Sequence, residues 1–182
     1  NSIPGSTRDW IEYSKTKDNK IIHLIDTPGL NPLSDKLYDK DIISYIRSNI
    51  SKGAIIIFVV EVNNEFSEID SEILKIIRKF NLNIILIINK VDNKKLEMKA
   101  HNYSKFGLSN VFCTSCTHNL GFNKLNSHLF EKSSLVTKDD DEIKNNELLI
   151  GVYGKPNVGK STFINTFLGF KRFQTGNTPG LT

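Results

Sequence analysis

The chain has 182 residues, of which 38% are hydrophobic and 24% charged, an ordinary globular composition that allows one domain with a hydrophobic core. Its longest apolar run, residues 54–60, is far too short to cross a bilayer, and no basic-then-apolar signal segment opens the chain. The formal net charge of +4 permits an RNA partner without indicating one. We therefore expect a cytoplasmic protein with no membrane segment. Because the chain does not start with Met and ends two residues after a Pro-Gly pair, we also expect a fragment.

Apolar runs and helical spacing divide the chain into alternating strands and helices. In chain order they predict strands at 10–16 and 21–25, a helix at 37–50, a strand at 54–60, a helix at 67–80, a strand at 83–88, a helix at 93–106, a strand at 110–113, a helix at 122–131, a strand at 148–153 and a helix at 161–168. Several of these strands are apolar on both faces. This predicts an α/β fold with a mostly parallel sheet covered by helices on both faces, in which ligands bind at the carboxyl ends of the strands.

The strongest motif is Gly-Lys-Pro-Asn-Val-Gly-Lys-Ser at 154–161, which fits the phosphate-binding pattern G-x-x-x-x-G-K-[ST] between a predicted strand and a predicted helix. Glycines let the backbone curl so that its N–H groups point at phosphate oxygens, and the helix N-terminus favours the anion. Lys160 would meet the β- and γ-phosphates, and the Ser161 hydroxyl would bind Mg²⁺. The predicted nucleotide contacts here are Gly154, Asn157, Val158, Gly159, Lys160, Ser161 and Thr162.

The run Asp26-Thr27-Pro28-Gly29 follows the second predicted strand. A carboxylate at that position can hold Mg²⁺ through water, and the Gly29 N–H can meet a γ-phosphate. Taken alone, an Asp before Pro-Gly is more often an ordinary turn. Two interpretations are also open for Thr7, in the run Pro-Gly-Ser-Thr at 4–7. The run is either an ordinary polar loop or a mobile loop whose threonine closes on Mg²⁺ when the γ-phosphate is present.

Asn89-Lys90-Val91-Asp92 follows the strand at 83–88. A carboxylate there can accept two N–H bonds from guanine, which adenine does not offer, whereas the plain alternative is a polar turn. Ser115 and Cys116 follow the last strand of this region, and their backbone N–H groups are placed to meet the base carbonyl. The only two cysteines, Cys113 and Cys116, do not make a disulfide framework, and we expect free thiols.

Together these motifs resemble those of the translation-factor-class GTPases, and most closely the Der (EngA) group, with Era and MnmE as relatives. The resemblance implies a P-loop NTPase G domain that binds GTP/GDP with Mg²⁺ and K⁺. It also implies hydrolysis of GTP to GDP and phosphate as a conformational switch in biogenesis of the ribosomal large subunit, with that subunit and its rRNA as partners. The implied catalytic residues are Asn157, Thr7 and Gly29; the implied metal ligands are Ser161, Thr7, Asp26 and Thr182.

Two departures from the family pattern affect these expectations. Leu30 stands where Ras-like proteins have a water-orienting glutamine, so we expect slow intrinsic hydrolysis. The alternatives are a guanine-nucleotide sensing module with negligible hydrolysis and a tRNA-modification GTPase related to MnmE. Cys116 replaces the usual alanine, which leaves the backbone contact with the base possible.

The order of the motifs is unusual, since the phosphate loop comes last. The run Pro-Gly-x-Thr occurs at 4–7 and again at 179–182, which favours two tandem domains over one permuted domain. We expect a first G domain without its own phosphate loop at 1–135, an acidic linker at 136–147 and the start of a second G domain at 148–182. We also hypothesise that the strand at 148–153 docks beside the strands ending at Asp26 and Glu61, with Lys160 facing Asp26.

Overall fold

The computed structural model describes residues 11–17, 20–27, 54–64, 66–80, 83–132 and 147–169. Its elements in chain order are β1 Ile11–Lys17, β2 Lys20–Asp26, β3 Ile55–Glu61, α1 Glu68–Arg78, β4 Asn83–Asn89, α2 Lys94–Ala100, a 3₁₀ helix His101–Phe106, β5 Asn110–Cys113, α3 Phe122–Lys132, β6 Glu147–Tyr153 and α4 Lys160–Leu168. The predicted helix at 37–50 lies outside the described residues, as do Thr7, Pro28, Gly29, Leu30 and Thr182.

Strand β6 is the centre of the fold. The six described strands lie in the order β1-β2-β6-β3-β4-β5, so the last of them along the chain is inserted between β2 and β3 and pairs parallel with both. Among the strand pairs of the described sheet, β1–β2 is antiparallel and the other four are parallel. The mostly parallel sheet is confirmed, and so is the expected docking of the strand before the phosphate loop.

A core covers each face of the sheet. On one face, α3 and α4 pack their apolar side chains against β2, β3 and β6, with Phe163 and Leu125 fully buried. On the other face, α1 and the 3₁₀ helix pack against β3 and β4, with Ile73 and Tyr103 among the buried residues. Helices of the described structure therefore lie on both faces of the sheet, as predicted.

One predicted helix differs from the structure in its extent and type. The single helix expected at 93–106 ends at Ala100 and continues as the 3₁₀ helix. In a 3₁₀ helix, residues three apart share one side, and this brings Tyr103 and Phe106 together against Phe66. The Tyr103 hydroxyl also donates to the carbonyls of Glu61 and Asn64 at 2.9 and 2.7 Å, contacts that a continued α-helix would aim elsewhere. Strand β6 begins at Glu147, one residue before its predicted start, and most other element bounds differ from the predicted ones by one or two residues.

The β1–β2 hairpin is tied to the ends of two helices by lysines. Lys15 Nζ donates to the carbonyl of Phe167, in the last turn of α4, and lies 4.4 Å from the centre of the Phe167 ring. Lys20 Nζ donates to the Phe130 carbonyl near the end of α3 at 3.0 Å. Cations at helix C-termini are favourable, so these contacts hold the hairpin, and Asp26 at its end, against α4. Burial, followed by the charge of Lys17, lowers the pKa of Lys15.

None of the helices that the structure describes is long and apolar enough to cross a membrane.

The insertion of β6 predicts the effect of Ile150→Ala. Ile150 is fully buried and pairs with Leu24 of β2 and Ile55 of β3. We expect the substitution to lower the free energy of unfolding by about 2–4 kcal/mol, because it leaves a cavity between the strands. Amide hydrogen exchange should become faster in both β2 and β3.

Leu120→Ala is the matched control, since Leu120 is 48% exposed. Unchanged exchange in β2 and β3 of the Ile150→Ala variant, with faster exchange confined to residues 147–169, would show that these residues are not part of the sheet.

Candidate functional site

The phosphate loop lies between β6 and α4 and depends on its glycines. Gly159, the residue before α4, has a φ of 93°, and Gly154 has a φ of 154°; both values favour glycine. A Cβ on Gly159 would lie 2.7 Å from Nδ2 of Asn89, and one on Gly154 would overlap the carbonyl oxygen of Val59. The loop therefore lies directly against the ends of β3 and β4.

Lys160 occupies the centre of this loop. Its ammonium donates to the carbonyls of Gly154 and Lys155 at 3.2 and 3.0 Å, and only 8% of the residue is exposed. Burial lowers the pKa of Lys160 to about 8, and the charge of Asp26 acts in the opposite direction. A cation is thus held beside backbone N–H groups at a helix N-terminus, which is the arrangement that binds phosphate.

Asp26 ends β2 and faces the first turn of α4. Ser161 Oγ donates to Asp26 Oδ2 at 2.7 Å, and Thr27 Oγ1 donates to the Val152 carbonyl at 2.6 Å, which joins the ends of β2 and β6. Burial raises the pKa of Asp26, while the Ser161 hydroxyl, the charge of Lys160 and the Thr27 N–H lower it.

The residues around Asp26 fit a Mg²⁺ ion. Asp26 Oδ1 is buried with no hydrogen-bond partner in the described structure, so one carboxylate oxygen is available beside the Ser161 hydroxyl. No group of three or more His, Cys, Asp or Glu side chains within the described ranges is placed to hold a metal. Magnesium would therefore take its other ligands from water and phosphate oxygens, as it commonly does.

Asn89, at the end of β4, connects the phosphate loop to the loop after β5. It is 2% exposed, and its Nδ2 donates to the Val158 carbonyl at 3.0 Å. Its Oδ1 accepts from Thr114 Oγ1 and Cys116 Sγ, each at 3.3 Å. Through this one amide, segments far apart in sequence are fixed relative to one another.

Asp92 lies beyond Asn89 on the exposed side of the same edge. Ser115 Oγ donates to Asp92 Oδ1 at 2.6 Å, and a backbone bridge between Ser115 and Leu120 closes the loop that carries Ser115. Lys90 adopts a φ of 64°, and its Nζ pairs with Glu61 Oε2 at 2.7 Å. The Asp92 carboxylate is thereby oriented while remaining accessible to a base.

The sequence assigned the predicted site residues to two separate nucleotide sites, and the structure brings those that it describes to one edge of the sheet. The phosphate loop contacts Asp26 through Ser161 and Asn89 through Val158, and Asp92, Ser115 and Cys116 lie at the neighbouring strand ends. Neither Cys113 nor Cys116 forms a disulfide in the described structure.

Sequence reasoning missed Thr114 and Glu61, whose polar side chains contact Asn89 and Lys90. Glu61 had a usable signal, because it is a charged residue at the carboxyl end of a buried strand.

Known proteins match this chain over most of its length. Residues 1–90 and 149–182 match the family model described as 50S ribosome-binding GTPase. The curated protein GTPase Der of Karelsulcia muelleri is 36% identical over 186 aligned positions, covering 100% of this chain and 41% of that protein. GTPase Der of Buchnera aphidicola is 32% identical, covering 97% of this chain and 43% of that protein.

A solved structure, YjeQ from Thermotoga maritima, matches with a TM-score of 0.48 and 21% identity over 69% of this chain and 41% of that one. The chain spans about two fifths of the length of the curated relatives it matches. The segments matched by the family model carry Asp26, Asn89 and the phosphate loop, and the chain belongs to the family of 50S ribosome-binding GTPases.

Proposed function

We propose that the chain binds guanine nucleotide in one composite site and hydrolyses GTP to GDP and phosphate. The observation that carries this proposal is the bond from Asn89 Nδ2 to the Val158 carbonyl at 3.0 Å, which joins the base-reading motif to the phosphate loop. The contact of Ser161 with Asp26 joins the same loop to β2. The tandem division at 1–135, 136–147 and 148–182 remains our prediction about the origin of these segments, and it is compatible with a shared site.

The phosphate end of the site has defined roles for its side chains. Loop N–H groups and the Lys160 ammonium would bind the β- and γ-phosphates. Asp26 and Ser161 would hold Mg²⁺, which when bound neutralises charge on the phosphates. Thr27 would keep Asp26 in register with β6 through its bond to the Val152 carbonyl.

The base end selects guanine. The Asp92 carboxylate would accept the two N–H groups on the edge of guanine, and Ser115 would hold the carboxylate in that orientation. The Lys90 stem would lie over the base, and the backbone at Ser115 and Cys116 would meet its carbonyl. A site built on such bonds disfavours adenine, which lacks these donors.

Hydrolysis as a switch extends the proposal. Thr7 and Gly29 would serve Mg²⁺ and the γ-phosphate, and Thr182 would be the switch threonine of a second site that the tandem division predicts. These roles remain predictions because the three residues lie outside the described ones. Asn157 would bind K⁺: it is exposed, has a φ of 65° and lines a cavity of about 250 Å³ with Glu61 and Asn64, whose oxygens are suitable ligands.

We further propose that this switch acts in biogenesis of the ribosomal large subunit in the cytoplasm, with the subunit and its rRNA as partners. The support is the match to the family of 50S ribosome-binding GTPases. Phosphate release from GTP in K⁺ and in Na⁺ tests hydrolysis. Turnover that rises with K⁺ supports the GTPase, whereas no turnover in either salt favours a sensing module. Displacement of bound GDP by ATP would overturn guanine specificity.

Asp92→Asn should change base preference from guanine to xanthine. An amide cannot accept both guanine N–H groups, but it can donate to the carbonyl that xanthine carries at that edge. We expect the affinity for GDP to fall by about 100-fold or more and the affinity for xanthosine diphosphate to rise, as measured by fluorescence competition.

The exposed Glu97→Gln on α2 serves as control and should leave both affinities unchanged. An Asp92→Asn variant that keeps its preference for GDP would place base recognition elsewhere.

Asp26→Asn should weaken the effect of Mg²⁺ on GTP binding. We expect the ratio of GTP affinities with Mg²⁺ and with EDTA to fall by about tenfold, because the amide supplies no charge to the ion. Binding of GDP in EDTA should change little. Glu12→Gln, an exposed carboxylate on the neighbouring strand β1, should behave like the unmodified chain. An unchanged ratio in Asp26→Asn would exclude Asp26 from the metal site.

A further inference from the structure

A buried ion pair joins the phosphate loop to helix α1. Lys155, the second residue of the loop, places its Nζ 2.7 Å from Asp70 Oδ2, with side chains that are 17% and 2% exposed. The Lys75–Glu72 pair on the same helix is far more exposed, at 66% and 45%. Of the ion pairs between described residues, Lys155–Asp70 is the most buried.

The start of α1 fixes the position of Asp70. Ser67 caps the helix, and both its backbone N–H and its hydroxyl donate to Asp70 Oδ2 at 2.9 Å, while the Asp70 N–H donates back to Ser67 Oγ at 3.3 Å. Lys155 Nζ donates to Ser67 Oγ as well, at 3.1 Å. The helix therefore presents a rigid anionic receptor, and Lys155 inserts into it.

Because this ion pair is buried, it fixes the position of the phosphate loop against α1 more than it stabilises the fold. Removing two charges from water is costly, and Asp70 Oδ1 is buried with no hydrogen-bond partner among the described residues, so part of that cost is not recovered. Such a pair defines one arrangement of the elements it joins, because any other arrangement leaves a buried charge unpaired.

Lys155 also contacts the phosphate-binding cation. Its carbonyl accepts from Lys160 Nζ at 3.0 Å, and the neighbouring Gly154 packs against β3. The contacts thus run from Asp70 to the Lys155 side chain, and from the Lys155 carbonyl to Lys160. Loss of the Asp70 charge would release the first half of the loop without removing any group that touches the nucleotide.

We propose that Asp70 is a positioning residue of the nucleotide site: through its buried ion pair with Lys155, it holds the phosphate loop open in its binding conformation before nucleotide arrives. This proposal rests on the proposed function in naming guanine nucleotide as the ligand. The geometry of the pair itself does not depend on that ligand.

Fluorescent GDP binding tests the proposal in Asp70→Asn, which removes the charge and keeps the shape of the side chain. We expect about tenfold weaker binding, the loss typical of a charge-assisted contact. Lys155→Met should be weakened equally, Lys155→Arg should retain binding, and the double variant Asp70→Asn/Lys155→Met should be no weaker than either single variant. Glu72→Gln, on the same helix, is the matched control and should bind within twofold of the unmodified chain.

Amide hydrogen exchange at residues 154–160 without nucleotide gives a second readout. Exchange should be faster in Asp70→Asn and Lys155→Met than in Glu72→Gln, while the strands keep their protection.

Unchanged affinity and exchange in both variants would overturn the proposal, as would additive losses in the double variant or a loss of protection spread over the whole sheet. If Asp70→Asn does not fold, Lys155→Met carries the test. If the unmodified chain binds no guanine nucleotide, the proposed function fails, and exchange at 154–160 still decides the role of Asp70.

Discussion

The site depends on the insertion of β6 between β2 and β3. Each of these three strands ends in the site: β2 at Asp26, β6 at the phosphate loop and β3 at Glu61. Without β6, two parallel strands would expose unpaired backbone groups in the middle of the sheet, and this is costly. The same insertion that completes the hydrogen bonding of the sheet therefore brings the phosphate loop to Asp26 and Asn89.

Side chains make this insertion specific, because backbone pairing alone would accept other strands. Asn89 reaches the loop from β4, and Asp70 reaches it from α1. Val158, within the loop, and Phe163, in α4, are both buried in the same hydrophobic core. Polar contacts therefore hold the phosphate loop, and apolar packing holds the helix α4 that follows it. Both kinds of contact act on the segment that runs from β6 to α4.

Much of the fold was readable because the signals are local. Apolar runs located the strands, and helical spacing of apolar residues located α1. The docking of β6 also followed from the sequence, since a gap in a parallel sheet must be filled. The contact of Lys155 with Asp70 could not be predicted from the sequence, because the two residues are far apart in the chain and no local pattern shows that they meet. The 3₁₀ helix was missed because Tyr103 turns inward to bond with Glu61 and Asn64, a tertiary contact that overrides helical spacing.

Calorimetric titration of GDP into the chain tests most directly whether the base-reading motif and the phosphate loop form one site. We expect one nucleotide per chain, and loss of that same binding event in both Lys160→Ala and Asp92→Ala, whose side chains lie at opposite ends of the composite site. Two binding events per chain, with each substitution removing only one of them, would contradict a shared site and would separate the two motifs into independent domains.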